Sequence, residues 1–423
     1  MSHYRNSVRH PAALIMLPVL LSLPLPSYAE LTLAEAEQIA LGDDPAVAAS
    51  QARSQALRED AVAAGQLPDP KLKAGLFNLP LDSFDINQEP TTQLRLGLQQ
   101  AFPRGATLQH RQRQGEWKAT SEQAKADDES RKLIREVRNS FLELHYQLQA
   151  ERVVTSTRSL FAQLVDITQA HYATGRVNQQ DVLRADLELS RLADRATRIL
   201  NDQEKARADL AKWIGSNASQ TLDPHFPALP DLPSKQELAA ALEQHPVIQA
   251  ESARLESHHQ AVQLAREQFK PGWGVGLEYR KRFGDNPNGS DRTDMMAAMV
   301  TVDLPLFPAK RQDRRLAASL QQAEAAQLTR ADRLRELRAM LDADYASWQR
   351  LGERAALYET QLLIEARANV QASLKAYQSG VTEFSTLMRA RITDLDVRLD
   401  DLRLRVDRAK TQARLLYLAG EAQ

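Results

Sequence analysis

The chain of 423 residues contains no cysteine, which removes disulfides, thiol nucleophiles and thiolate metal sites together. Aromatic residues make up only 5%, and mean hydropathy is -0.46. Long apolar runs are nearly absent: the one extended stretch lies at the N-terminus, so a bundle of transmembrane helices is excluded. A chain of this kind that spans a membrane must do so as a β-barrel, the other structure that satisfies every backbone group in lipid. No GxxxxGK, HExxH, GxSxG or paired-cysteine zinc motif occurs, so nothing in the sequence points to an enzyme or to a cofactor. Charge of one sign is also lacking, with 54 Lys and Arg against 55 Asp and Glu. That balance argues against a nucleic-acid-binding protein.

What is present begins with an address. Arg5 and Arg9 form a basic start, Ala12 to Leu25 is apolar but broken by Pro18 and Pro24, and Ser27-Tyr28-Ala29 is a small-x-small cleavage site. This pattern reads as a secretory signal peptide over residues 1–29, cleaved near Ala29. A lipoprotein would need cysteine as its first mature residue, so no N-terminal lipid anchor is expected.

The mature sequence is written twice. Thr32-Leu-Ala-Glu35 is matched by Ser234-Lys-Gln-Glu237, each a capping box at a helix start. Ala40-Leu41 followed by Pro45 is matched by Ala241-Leu242 followed by Pro246, and Phe102-Pro103 by Phe307-Pro308. Tyr172-Ala-Thr-Gly175 through Leu183-Arg184-Ala185 aligns without gaps with Tyr377-Gln-Ser-Gly380 through Met388-Arg389-Ala390. Four ordered landmarks at nearly constant offset indicate a duplication, with repeats at 30–214 and 234–423 joined by a Pro- and Gly-broken linker at 215–233.

Each repeat reads as a helix, two strands and two very long helices. Thr107 to Ala173 and Lys310 to Gln378 contain no proline and are dominated by Ala, Leu, Gln, Glu and Arg. Each predicts a helix roughly 100 Å long. Glycines then mark a turn. The return arms carry apolar or small residues in steps of three and four: Val182, Ala185, Leu189, Leu192, Ala196 and Ile199 in the first, Ile392, Leu395, Leu399, Leu402, Val406 and Ala409 in the second. Such seams predict antiparallel coiled-coil hairpins at 107–214 and 310–419.

The inserted strands, expected near 70–79, 92–101, 272–283 and 295–306, are short and alternate. Leu94, Leu96 and Leu98 face one way and Gln93, Arg95 and Gln99 the other. Trp273, Val275, Leu277 and Tyr279 likewise oppose Glu278 and Arg280. This is the pattern of transmembrane β-strands, apolar to lipid and polar to a lumen; strands packed on a soluble core give the same alternation. Four strands are too few to close a membrane barrel, so a membrane barrel would have to be shared among subunits. Other candidates read as ordinary surface. His258 and His259 diverge by about 100° on a helix, Met295 and Met299 sit roughly 13 Å apart along a strand, and Asp394 and Asp396 form a solvated pair. No metal site is expected.

A signal peptide followed by two copies of capping helix, strand pair and long hairpin, each with a Tyr-x-x-Gly tip, resembles the TolC family of outer-membrane efflux proteins. The stretches LTLAEAEQIALGDDPAVAAS and YATGRVNQQDVLRA carry the likeness, while LPDPKLKAGLFNLP and FPRG are most similar to the CzcC/CusC-type channels serving heavy-metal pumps. The resemblance implies a mainly α fold with a small β part, and a homotrimer in the bacterial outer membrane that extends into the periplasm. Its 12-stranded barrel would continue into an α-helical barrel, with outer-membrane lipid around the strands. It also implies passive export of substrate, heavy-metal cations or drugs, delivered by an inner-membrane RND-type pump and a periplasmic adaptor. A type I secretion conduit would share the whole architecture, and a soluble periplasmic coiled-coil scaffold remains a further reading. By the same resemblance Tyr172, Gly175, Arg176, Tyr377, Gly380, Thr382, Glu383, Thr386 and Arg389 form the periplasmic tip and gate. Thr386 and Arg389 stand where a member of that family carries paired aspartates, so no acidic ring is carried over to this chain.

Overall fold

In the computed structural model, which describes residues 30–175 and 177–420, two similar helix-and-strand units follow one another along the chain. The leader at 1–29 and the tip residue Arg176 lie outside the described residues. The first unit contains α1 (Leu33–Asp43), α2 (Pro45–Ala64), β1 (Lys71–Phe77), β2 (Gln93–Phe102), α3 (Thr107–Ala173) and α4 (Gln179–Ile214). The second contains α5 (Lys235–Ala241), α6 (Pro246–Glu267), β3 (Gly272–Arg282), β4 (Met295–Asp303), α7 (Gln312–Leu357), α8 (Leu363–Gln378) and α9 (Phe384–Ala419).

Local chemistry sets the starts of these helices. Glu35 N–H donates to Thr32 Oγ1 at 3.3 Å while Thr32 N–H donates to the Glu35 carboxylate at 2.9 Å. Ser234 and Glu237 repeat the arrangement at 3.3 and 2.8 Å, so both expected capping boxes are formed. The single opening helix expected in each repeat is instead two. Pro45 and Pro246 have no N–H to give and occupy the first turn of α2 and α6, where none is needed. Asp44 caps the first through Ala46 and Val47 N–H, and the His245 imidazole caps the second through Val247 N–H.

The first outgoing arm is one unbroken helix of 67 residues. The second is not: a π turn at Tyr358–Leu362 separates α7 from α8, correcting the continuous helix expected over 310–378. One added residue rotates everything beyond it by about 100°. It thereby keeps Ala366, Val370 and Ser373 buried as α8 runs along α9. Return arms α4 and α9 bury the expected seams, with Ala185 and Leu192 in the first and Leu395, Leu399 and Val406 in the second. Beside α3 lie α2, α6 and α9, so the two hairpins share one helical body.

The linker is less free than its composition suggests. A short 3-10 turn at Gly215–Ser219 leads to Leu222, which is buried and bridges Leu31 through Leu31 N–H to Thr221 O at 2.8 Å and Asp223 N–H to Leu31 O at 3.1 Å. Around it Leu33, Ala36, Val137, Phe141 and Leu210 form one apolar core. Beside this core the Arg138 guanidinium donates to the Glu37 carboxylate at 2.6 Å, with both side chains almost fully buried. Removing one partner of such a pair strands a charge without solvent. Arg138→Met is expected to cost about 3–5 kcal/mol in thermal or denaturant unfolding, and adding Glu37→Gln to recover most of that loss. Equal stability of the single variant and the parent would contradict the pair's role in joining α1 to α3.

Candidate functional site

All four strands form one antiparallel sheet in the order β1-β2-β3-β4. Its register decides which side chains act together, because directly paired residues share a face. Leu96 is paired with Ala74 and Tyr279, Leu98 with Leu72 and Leu277, and Val275 with Val300. The alternation in β2 and β3 therefore lines up across the sheet: Leu94, Leu96, Leu98, Trp273, Val275, Leu277 and Tyr279 stand on one face, joined by Met296, Val300 and Val302. That face is bare. Leu277 is 58% exposed, Val300 67% and Met296 78%, an apolar surface of a kind that soluble monomers rarely present. Aromatic side chains mark its two ends. Phe102 and Trp273 stack at one, with ring centroids 4.2 Å apart, and at the other the Tyr279 hydroxyl donates to Asp294.

Gln93, Arg95, Gln99, Glu278 and Arg280 stand on the opposite face together with Lys71, Lys73 and Phe77. Arg280 Nε donates to Glu278 Oε1 at 2.5 Å, and Arg95 lies 3.9 Å from the same oxygen while its guanidinium covers the Phe77 ring at 4.1 Å. Gln100 interrupts the pattern. It pairs with Val275 on the apolar face, where its amide donates to Pro68 O at 2.9 Å. Strand β4 ends at Asp303, so Leu304 to Leu306 of the expected strand lie beyond the sheet.

The sheet is joined rigidly to the helices below it. Gly105 takes φ +47, a left-handed conformation that favours glycine, and a Cβ there would displace the Glu267 carboxylate that lies against it. That carboxylate, reaching over from α6, accepts from Ala106 N–H at 2.8 Å at the start of α3, and Arg104 donates to Gln268 O at 2.8 Å. The FPRG stretch is thus the joint at which the two repeats grip each other. Its counterpart after Phe307 lacks these contacts, and Phe307 itself is 86% exposed.

At the far end the hairpins turn where glycine allows. Gly175 and Gly380 adopt φ +71 and +74, the left-handed conformation that ends α3 and α8. Val381 N–H donates back to Ala376 O at 2.9 Å, and Asn178 Oδ1 accepts from Asp181 N–H at 3.0 Å to start α4. The two tyrosines of the repeated tip are not equivalent. Tyr172 is exposed, whereas Tyr377 is half-buried against Phe384, with ring centroids 5.6 Å apart. Its hydroxyl lies 3.4 Å from His171 Nδ1, a hydrogen bond whose direction follows the imidazole tautomer. Burial pushes the Tyr377 phenol above its ordinary pKa, so it keeps its proton at neutral pH. Thr382 is half-buried beside it, while Glu383, Thr386 and Arg389 are exposed on the first turns around α9.

His171 was not singled out by the sequence because its counterpart in the second repeat is Ala376, so comparing repeats gives it no weight. Just above the tip the two return arms are pinned by Arg195 and Asp396 at 2.7 Å. The reading of Asp394 and Asp396 as a solvated pair is therefore corrected. Asp396 bridges the hairpins, and Asp394 is buried with Arg398 at 2.5 Å because its position faces the helical body. Higher still, Glu143 takes both Arg403 at 2.9 Å and Lys410 at 2.5 Å. Burial alone would raise its pKa, but the two cations override it and hold the carboxyl below its usual range.

Among the described residues no helix is long and apolar enough to cross a membrane. The fold is shared with solved channels. It superimposes on the outer membrane protein VceC of Vibrio cholerae with TM-score 0.78 at 17% identity, covering 92% of this chain and 96% of that one. It matches CusC with TM-score 0.78 at 14% identity over 93% of both chains. For the outer membrane channel CmeC of Campylobacter jejuni the TM-score is 0.77 at 11% identity, over 93% of this chain and 86% of that one. No curated protein sequence matches the chain significantly. The family model for outer membrane efflux protein matches twice, at residues 37–216 and 238–421, once on each repeat. With two family matches that together take in most of its length, a duplicated fold and a bare-faced sheet, the chain belongs to the outer membrane efflux protein family.

Proposed function

We propose that three copies of this chain form an outer-membrane export channel. The observation that carries this reading is the sheet: an apolar face combined with two edges, on β1 and β4, that have no partner strand among the described residues. In lipid an unpaired edge leaves its backbone groups unsatisfied, so the sheet must close. Three copies of four strands give a 12-stranded barrel, well within the range that membranes accept. The aromatic residues support the same placement. From Trp273 to Tyr279 the strand runs about 20 Å, which at the usual tilt of such barrels covers about 15 Å of the apolar band, whose borders are aromatic. The long hairpins then extend into the periplasm, which the chain reaches by the leader cleaved near Ala29.

The channel is passive. Substrate comes from an inner-membrane RND-type pump through a periplasmic adaptor, and the likeness of LPDPKLKAGLFNLP and FPRG to the CzcC/CusC type favours heavy-metal cations as cargo, with drugs as the second class. A type I secretion conduit would differ only in the partners that co-purify. A soluble scaffold would wash from membranes in carbonate. The expected outcome is an integral outer-membrane protein that resists carbonate and, after purification, gives discrete conductance steps in planar bilayers. Release by carbonate together with absence of conductance would contradict the reading.

The proposed gate is the tip formed by Tyr172, Gly175, Arg176, Tyr377, Gly380, Thr382, Glu383, Thr386 and Arg389, to which His171 is added. Contact between Tyr377 and His171 ties α8 of one hairpin to α3 of the other, while Phe384, Phe161 and Leu387 pack beneath them. A packed joint of this kind has discrete arrangements that a docking partner can bias. Tyr377→Phe and His171→Ala are each expected to raise single-channel conductance, since each removes the polar tie and leaves the apolar packing largely in place. Unchanged conductance in both would remove this contact from the gate.

A further inference from the structure

The charged residues on the polar face of the sheet do not cancel. Lys71, Lys73, Arg95, Arg280 and Arg282 share that face with only Glu278 and Asp303, five basic side chains against two acidic, which leaves +3 per chain. The register arranges them in levels. Arg95 and Arg280 are directly paired, Lys73 lies one level further along with Gly97 and Glu278, and Lys71 lies at the next with Gln99 and Gly276. Glu278 is already engaged by Arg280 at 2.5 Å and approached by Arg95, so one carboxylate serves two guanidiniums. Lys71 and Lys73 are exposed, and neither is in an ion pair among the described residues. Three copies around one axis would carry +9.

One acidic region opposes this field. The loops beyond β1 and β3 carry Asp82, Asp85, Glu89, Asp285, Asp291 and Asp294 against Arg292. They stand in open solvent, where charges more than about 8–10 Å apart are screened at ordinary salt. Asp294 is moreover occupied by the Tyr279 hydroxyl and Arg282 N–H. The tip lies far from the sheet and holds Asp181 and Glu383 with Arg184 and Arg389, a balanced set. Charges on the inner wall of a narrow barrel act on every ion that passes, between low-dielectric walls that focus their field.

We propose that the barrel section is an anion-selective filter, with Lys71, Lys73, Arg95 and Arg280 as the residues that set selectivity. Anionic solutes, including anionic complexes of a metal, cross it more readily than bare cations. The inference rests on the channel reading above and narrows its cargo: a heavy metal leaving through this pore passes more easily as an anionic complex. It does not rest on the tip, whose described charges, Asp181 and Glu383 with Arg184 and Arg389, balance.

The experiment is the zero-current potential of the purified full-length protein in planar bilayers across a KCl gradient, at moderate and at high salt. The parent is expected to pass chloride in preference to potassium, with the preference weakening as salt rises. Lys71→Glu combined with Lys73→Glu changes the trimer's wall from +9 to about −3 and is expected to reverse the sign of that potential. Lys71→Gln with Lys73→Gln, a milder change at two exposed positions, should move it part of the way. Channels that prefer potassium in the parent, or a potential unmoved by the charge reversal, would overturn the filter and leave the channel intact. Absence of channels in every version would overturn the channel reading, and the filter with it.

Discussion

The two edges of the sheet carry backbone N–H and C=O groups that no strand of the described residues satisfies. Among the described residues β1 has a neighbour only in β2, and β4 only in β3, while the face between them is covered with large apolar side chains. In water such a sheet would be an aggregation hazard. In lipid it is workable only if the edges find each other through further copies of the chain, because hydrocarbon offers no hydrogen bonds. Oligomerisation is then a consequence of the strand count and not an addition to it. The proposed lumen, gate and filter all follow from that closure.

Rigidity between sheet and helices has a different source. Two repeats that arose as copies have diverged into complementary parts at the joint, where Glu267 of the second repeat caps α3 of the first over a glycine in the left-handed conformation. The linker is held in the same way by its bridge to Leu31. Long-range pairs such as Glu37 with Arg138 and Glu143 with Arg403 tie distant stretches of one continuous helical body. At the tips this pinning gives way to fewer contacts, Tyr377 with His171 and Arg195 with Asp396. A change of packing there can occur without disturbing the sheet.

Much of this was legible in the sequence, for identifiable reasons. Caps, alternation and heptad steps are local, so Thr32, Ser234, the Leu94-Leu96-Leu98 series and the Leu395-Leu399 seam announce their roles within a few residues. The duplication made glycine turns visible by their repetition. What escaped was whatever depended on partners far along the chain or on departure from the repeat. Pro45 and Pro246 begin second helices instead of merely following the first. The π turn at Tyr358 has no composition signal, since a single added residue leaves the periodic pattern nearly intact. Asp394 looked solvated because the burial of its face is decided by which helices pack around α9. His171 was hidden because its meaning lies in a contact 206 residues away.

Meeting of the open sheet edges across subunits is directly testable, because the chain has no cysteine of its own. Ala74 of β1 and Ala298 of β4 lie on the two edge strands and on the same face. With both replaced by cysteine in one chain, a short bifunctional thiol reagent applied to intact membranes should yield covalently linked trimers, while each single variant stays monomeric on denaturing gels. Double-variant chains that react with a thiol probe at both positions yet remain monomeric would contradict the shared barrel.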